Sequence, residues 1–201
     1  MIPLYDEYRP SRASIVTIGL IFLNTIIFFL SFNNLEAIVN KFGLIPQNIL
    51  LGKELYTVFT SMFLHAGFLH LIGNMWFLWV FGNNLEAAMG RFRYLLFYLL
   101  CGFFASFIFV FLSQEKLLSI VGASGAISGI LGGYFILFPK HKIKSFLLVF
   151  VFPLFFSVPA VVFLVIWILF QVFYPVPGVA TGAHLIGFLA GLLLVKTLKK
   201  G

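Results

Sequence analysis

Charge is what this sequence has least of. Only 9% of its 201 residues are charged, and six are acidic. Soluble globular chains carry about a quarter charged residues, so a water-solvated surface on all sides is excluded. Cysteine is almost absent as well. The single Cys101 has no partner for an internal disulfide, and no cluster of thiols exists to hold zinc, so it is read as a small packing residue. Neither an HExxH helix nor a P-loop occurs, which removes a common metalloprotease class and ATP-driven function. What the chain has instead is apolar bulk: 62% hydrophobic residues, among them 28 Phe. One core cannot hide so much, and lipid must solvate the rest.

Uncharged stretches cover 13–35, 55–85, 94–114, 117–139 and 145–195. About 20 apolar residues cross a bilayer as a helix. The first four stretches therefore hold one span each. The last is broken at Tyr174, Pro175, Val176, Pro177 and Gly178 and holds two. The expectation is an all-α membrane protein: a single domain over 1–201 with spans near 14–32, 62–82, 94–112, 121–138, 158–174 and 181–198. The first stretch is read as a resident helix, because Asn24 lies within it and no small-x-small cleavage pattern follows. The loop at 33–60 is apolar enough to lie in the membrane interface. Residues 146–156 are read as an interfacial, non-helical segment at the opposite face, and Pro159 as a first-turn proline of span five. No internal repeat or second domain is apparent.

The formal net charge of +7 reflects topology rather than nucleic-acid binding. With the N-terminus cytoplasmic, Arg9, Arg12, Arg91, Arg93, Lys140, Lys142, Lys144, Lys196, Lys199 and Lys200 all fall inside, and Lys41, Lys53 and Lys116 outside. That is the positive-inside pattern, expected of a multi-pass protein of the plasma (inner) membrane with both termini cytoplasmic.

Strongly polar side chains within a bilayer are costly and mark function by default. Five stand out: His65, His70 and Asn74 in span two, Ser124 in span four and His184 in span six. These spans all enter from the outer face, and the five residues fall in the outer part of the membrane at similar depth. His70 and Asn74, four apart, share a helix face. His70 is expected in the third turn of its helix. His65, about 140° away on the same helix, is expected to face elsewhere and to be structural. His141, among Lys140, Lys142 and Lys144, reads as an interfacial cation. Small residues recur at four-residue spacing, as Gly125, Gly129 and Gly133 in span four and Ala183, Gly187 and Gly191 in span six. Such faces let helices pack closely, which would bring Ser124 to His184. A serine hydroxyl needs a base within hydrogen-bond reach to become a nucleophile, and His184 can be that base. The Ser124 N–H, Asn74, His70 and the Gly122 position can line an oxyanion site. No carboxylate is placed to orient His184, so a dyad fits and a triad does not.

These elements together resemble the rhomboid family of intramembrane serine proteases. They are GxSG as Gly122-Ala123-Ser124-Gly125, HxxxN as His70 to Asn74, and AHxxGxxxG as Ala183-His184 through Gly187 to Gly191. The resemblance covers about residue 10 to the C-terminus. It implies Ser124 as nucleophile, His184 as base, and His70 and Asn74 at the oxyanion. It also implies cleavage of transmembrane-helix protein substrates near their outer ends, with no cofactor and no metal. Loop 33–60 would pack beside the helices, span five would serve as lateral gate, and Glu86 would match a structural acidic residue. Two positions depart from the family pattern. Tyr56-Thr57 stands where many members have Trp-Arg. Ser128 stands where many have an aromatic stacking on the histidine, so the sequence gives no orienting partner for His184. The rival functions are an inactive, client-binding relative, which usually loses one of the Ser–His pair, and a small transporter, for which repeated halves and a charged pathway are missing.

Overall fold

The computed structural model describes residues 1–8, 10, 13–150, 152–174 and 178–199. In chain order these form β1 (Ile2–Asp6), α1 (Ile15–Ser31), short helices α2 (Leu35–Phe42), α3 (Pro46–Leu50) and α4 (Thr57–Thr60), then α5 (Phe68–Met89) and α6 (Arg91–Leu112). After them come α7 (Ser124–Leu137), β2 (Lys142–Val149), β3 (Phe152–Pro159), α8 (Ala160–Phe173) and α9 (Thr181–Leu198). Arg9, Arg12 and Lys200, which contribute to the charge asymmetry, and Pro175 to Pro177 of the break lie outside the described residues.

Among the described residues three helical stretches are long and apolar enough to cross a membrane: Ile15–Phe42, Arg91–Leu112 and Thr181–Leu198. The pair Thr57–Phe63 and Phe68–Met89 makes a fourth if its 91° bend is counted within one span. Helices α7 and α8 are equally apolar but only 14 residues each. The bend changes the expected second span. Residues 64–67 are not helical, so the helix begins at Phe68 and His70 lies in its first turn, not its third.

The chain is mostly helical, as expected, but the all-α reading needs one correction. Lys142–Val149 and Phe152–Pro159 pair as an antiparallel hairpin, and β1 adds to it in the order β1-β2-β3. Pro159 accordingly ends a strand and precedes the first residue of α8. The sheet is tied to the bundle by buried Asp6, whose carboxylate accepts hydrogen bonds from Asn84 at the end of α5 and Tyr134 at the end of α7. His141 Nδ1 lies 3.0 Å from the same carboxylate, so it is part of this anchor and not merely an interfacial cation.

A second buried acid fixes how the bundle starts. Glu86, 3% exposed, accepts from the N–H groups of Val16 and Thr17 at 3.0 and 2.8 Å and from the Thr17 hydroxyl at 2.8 Å. First-turn N–H groups have no partner within their own helix, and a carboxylate there also meets the positive end of the helix dipole. At the other end of the bundle the loop of 33–60 packs beside the helices. Leu44 pairs with Ile120 as an isolated bridge, and Leu44, Ile49, Val58 and Val110 form a small core of their own. Tyr56 closes this loop by donating to the Lys41 carbonyl at 3.0 Å.

Removing the Glu86 carboxylate leaves the α1 N–H groups buried and unpaired, so Glu86→Ala should lower unfolding free energy by about 2–3 kcal/mol. Thr17→Val, which removes one donor, should cost about 1 kcal/mol. Unfolding in mixed detergent and SDS, followed by circular dichroism, reads both. An unchanged midpoint for Glu86→Ala would remove the anchor role.

Candidate active site

The contact of α7 with α9 builds the site. A Cβ placed on Gly187 would come within 2.1 Å of the Gly125 carbonyl oxygen, and one on Gly191 within 2.0 Å of that of Gly129. Side chains larger than hydrogen would have to push the backbones apart. The third contact is made by Gly132, whose Cβ would lie 2.1 Å from the Phe188 carbonyl oxygen. Gly133, part of the expected stripe, instead faces Phe97 and Leu85 as well as Val195. Gly125 and Gly129 also admit Ala105 and Cys101 of α6 on their other side. Buried Cys101 is thus a packing residue against α7.

With the two backbones this close, the first residue of α7 meets the first turn of α9. Ser124 Oγ lies 2.8 Å from His184 Nε2, and His184 Nδ1 lies 2.8 Å from Gln171 Oε1 on α8. With the amide oxygen placed toward the ring, where it can only accept, the imidazole proton is assigned to Nδ1 and Nε2 is left to offer its lone pair to the serine hydroxyl. In this tautomer the ring can take the serine proton. Trp167, one helical turn before Gln171, stacks on the ring, with centroids 6.3 Å apart and planes at 29°. Ser128, where an aromatic was looked for, turns back to donate to the Ser124 carbonyl at 2.6 Å.

His70 approaches the same space from α5. A Cβ on Gly122 would lie 2.8 Å from His70 Nε2 and 3.6 Å from Ser124 Oγ. Any side chain at 122 would therefore fill the space between them, and a φ of +129° also suits only glycine there. The Ala66 N–H points to His70 Nδ1 at 3.4 Å, which leaves the ring proton on Nε2, facing that space. The Gly122 N–H donates to the Ser61 carbonyl at 2.9 Å, so what this position gives the space is a missing side chain. Asn74 uses one amide hydrogen on the His70 carbonyl at 2.8 Å, leaving its second. The orientation expected of His65 is corrected. The residue lies in the non-helical bend, fully buried, with its ring edge-on to His70 at 5.1 Å, so it packs against the site instead of facing away.

The serine is recessed. Gly125 abuts Ala105, and α6 continues seven residues further, to Leu112. At 1.5 Å per residue this sets Ser124 about 10 Å below the end of the neighbouring helix. Ser124, His184 and His70 are all half-buried. Among the described residues no group of three or more His, Cys, Asp or Glu side chains is placed to hold a metal ion.

Gln171 and Trp167 are the site residues that motif reasoning missed. One signal was present: Gln171 is the single strongly polar residue of α8, and a polar side chain in an apolar span calls for a partner.

A helical multi-pass membrane protein with a recessed serine–histidine contact is what the fold defines. Residues 52–201 match the Rhomboid domain, and the chain belongs to the rhomboid family. It is 36% identical over 98 residues to RHOMBOID-like protein 6, mitochondrial, of Arabidopsis thaliana, covering 48% of this chain and 31% of that protein. RHOMBOID-like protein 4 of the same plant is 32% identical over 154 residues, 76% of this chain and 36% of the relative. Rhomboid protease GluP of Bacillus subtilis is 33% identical over 140 residues, 63% and 27% respectively. The chain thus spans between about a quarter and a little over a third of these relatives.

The glycine contacts yield a prediction. Gly191→Ala should lower the thermal unfolding midpoint in detergent, because its Cβ would strike backbone, the least yielding neighbour. Gly19→Ala, in α1 with nothing within 4 Å, should hold or raise it, because Ala is favoured over Gly in helices by about 0.5–1 kcal/mol. Equal effects at both positions would refute the close-packing account.

Proposed function

We propose that this chain is an intramembrane serine endopeptidase that cleaves transmembrane segments of protein substrates near the outer face. The observation that carries the proposal is the 2.8 Å contact of Ser124 Oγ with His184 Nε2, in the tautomer that accepts a proton. Membership of the rhomboid family supports the same reading. Ser124 Oγ attacks the peptide carbonyl carbon as its proton passes to His184 Nε2. The tetrahedral oxyanion is met by the free Ser124 N–H at the start of α7, the His70 Nε2–H and the second Asn74 amide hydrogen. His184 then gives its proton to the leaving amine, and water, activated by the same ring, hydrolyses the acyl-enzyme. No metal or cofactor takes part in these steps.

The proposed topology has six spans in a single domain over 1–201: α1, α5, α6, α7, α8 and α9, with both termini cytoplasmic in a plasma (inner) membrane. The distribution of basic residues supports it. Helices α7 and α8, about 21 Å long, are too short to reach both surfaces by themselves. The connections at their ends complete the crossing, and a short α7 keeps the serine below the outer surface while leaving water a route down to it.

A serine-directed fluorophosphonate probe tests this without a known substrate. In mild detergent the protein should label, and Ser124→Ala and His184→Ala should both abolish labelling. His70→Ala and Asn74→Ala, tested on a cleaved transmembrane segment, should each reduce turnover about a hundredfold, the usual cost of losing an oxyanion donor. Folded protein that resists two such probes would point to a client-binding relative without catalysis.

A further inference from the structure

We infer that Gln171 is a positioning residue for the base: its amide oxygen, with the Trp167 ring, holds His184 from α8 in the orientation and tautomer that accept the serine proton. This rests on the serine-protease reading above and identifies what takes the place of an orienting carboxylate.

Three observations converge. His184 Nδ1 meets Gln171 Oε1 at 2.8 Å while Nε2 meets Ser124 Oγ at 2.8 Å, so one imidazole bridges α8 and α7 with both nitrogens engaged. Trp167 lies one turn from Gln171 on the same face of α8 and stacks on the ring, within the range of centroid separations typical of aromatic pairs. Ser128, the α7 residue one turn after Ser124, is committed to the Ser124 carbonyl and gives the ring no support. The other ionisable ring turned toward this space is His70 of α5, across the Gly122 gap. Among the described residues no carboxylate is bonded to His184.

An amide can do what a carboxylate does for the tautomer but not for the charge. As acceptor it fixes the proton on Nδ1. Being neutral, it adds little stabilisation to the imidazolium that forms during attack. Rotated by 180° about its last bond, the same amide would donate to Nδ1 and drive the ring proton onto Nε2, where it would block the serine. The Ser–His pair is therefore competent only with α8 docked and its amide oxygen inward. An apolar side chain at 171 should cost turnover rather than substrate binding, and a carboxylate should restore turnover with a changed pH dependence.

The test uses the intact protein in detergent or liposomes with a cleavable transmembrane substrate, comparing Gln171→Leu, Gln171→Glu and Ser124→Ala. Gln171→Leu should lower kcat by about ten- to a hundredfold with KM within about twofold, the size expected for losing a hydrogen bond that orients the base. Gln171→Glu should recover most of the loss. Its negative charge favours the imidazolium, so protonation of His184 should persist to higher pH, moving the acid limb of the kcat/KM profile upward by about one unit. Wild-type kcat in Gln171→Leu together with an unmoved acid limb in Gln171→Glu would overturn the inference. Should Gln171→Leu fail to fold, the acid limb of Gln171→Glu decides alone. Activity that survives in Ser124→Ala would instead sink the serine-protease reading itself.

Discussion

Everything in this protein depends on how closely α7 and α9 can approach. Their backbones pack with carbonyl oxygens of one helix lying where β-carbons of the other would be, at 2.0–2.1 Å. Between helices in lipid there is no hydrophobic driving force, and close van der Waals packing of small residues supplies the association instead. The geometry of Ser124 with His184 is a consequence. Each residue is fixed to the first turn of one of these helices, so a shift of an ångström between the axes would break a 2.8 Å hydrogen bond. The proposed chemistry thus sits at the ends of two helices whose backbones touch, and that packing fixes the Ser124–His184 distance.

The other helices then adjust what that contact can do. Helix α6 receives Gly125 and Gly129 of α7 on Ala105 and Cys101, which sets the depth of the serine. The bend at 64–67 turns α5 so that its first helical turn, with His70, faces the Gly122 gap. Among the described residues, Gln171 and Trp167 are the α8 side chains bonded to or stacked on His184. The opposite end of the bundle is tied differently, by Glu86 on the start of α1 and by Asp6 on the ends of α5 and α7.

How much of this was legible follows from how local each signal is. The glycine spacing and the limits of α9 are local, and the sequence displays them directly; α7 starts at Ser124, three residues later than expected. The bend before α5 has only Gly67 to mark it, and an apolar run without proline reads as continuous helix, which misplaced His65 and the turn holding His70. The hairpin of β2 and β3 is hidden because 146–149 and 152–156 are apolar at every position, so the alternation that identifies a strand shows only at Lys142 to Ser145. The substitution of Gly132 for Gly133 in the α7 contact is a matter of helix rotation, which only packing against α6 decides. Gln171 was visible as a polar residue out of place in α8, yet nothing in the sequence says which of several helices it faces.

Why an amide and not a carboxylate should hold the base is a question the two ends of the molecule answer together. A buried carboxylate is tolerable where donors surround it, as Glu86 has two backbone N–H groups, a hydroxyl and the positive end of a helix. The position of Gln171 is different: it lies at the C-terminal end of α8, where carbonyls and the negative end of the dipole face outward. A carboxylate there would be destabilised by the helix that carries it, and its compensating partner would have to be the imidazolium itself. That would stabilise the protonated base, which cannot accept from serine, over a wider range of pH. In the proposed mechanism a neutral acceptor orients the imidazole without favouring its protonated form, at the cost of weaker support for the charge that would appear in the transition state.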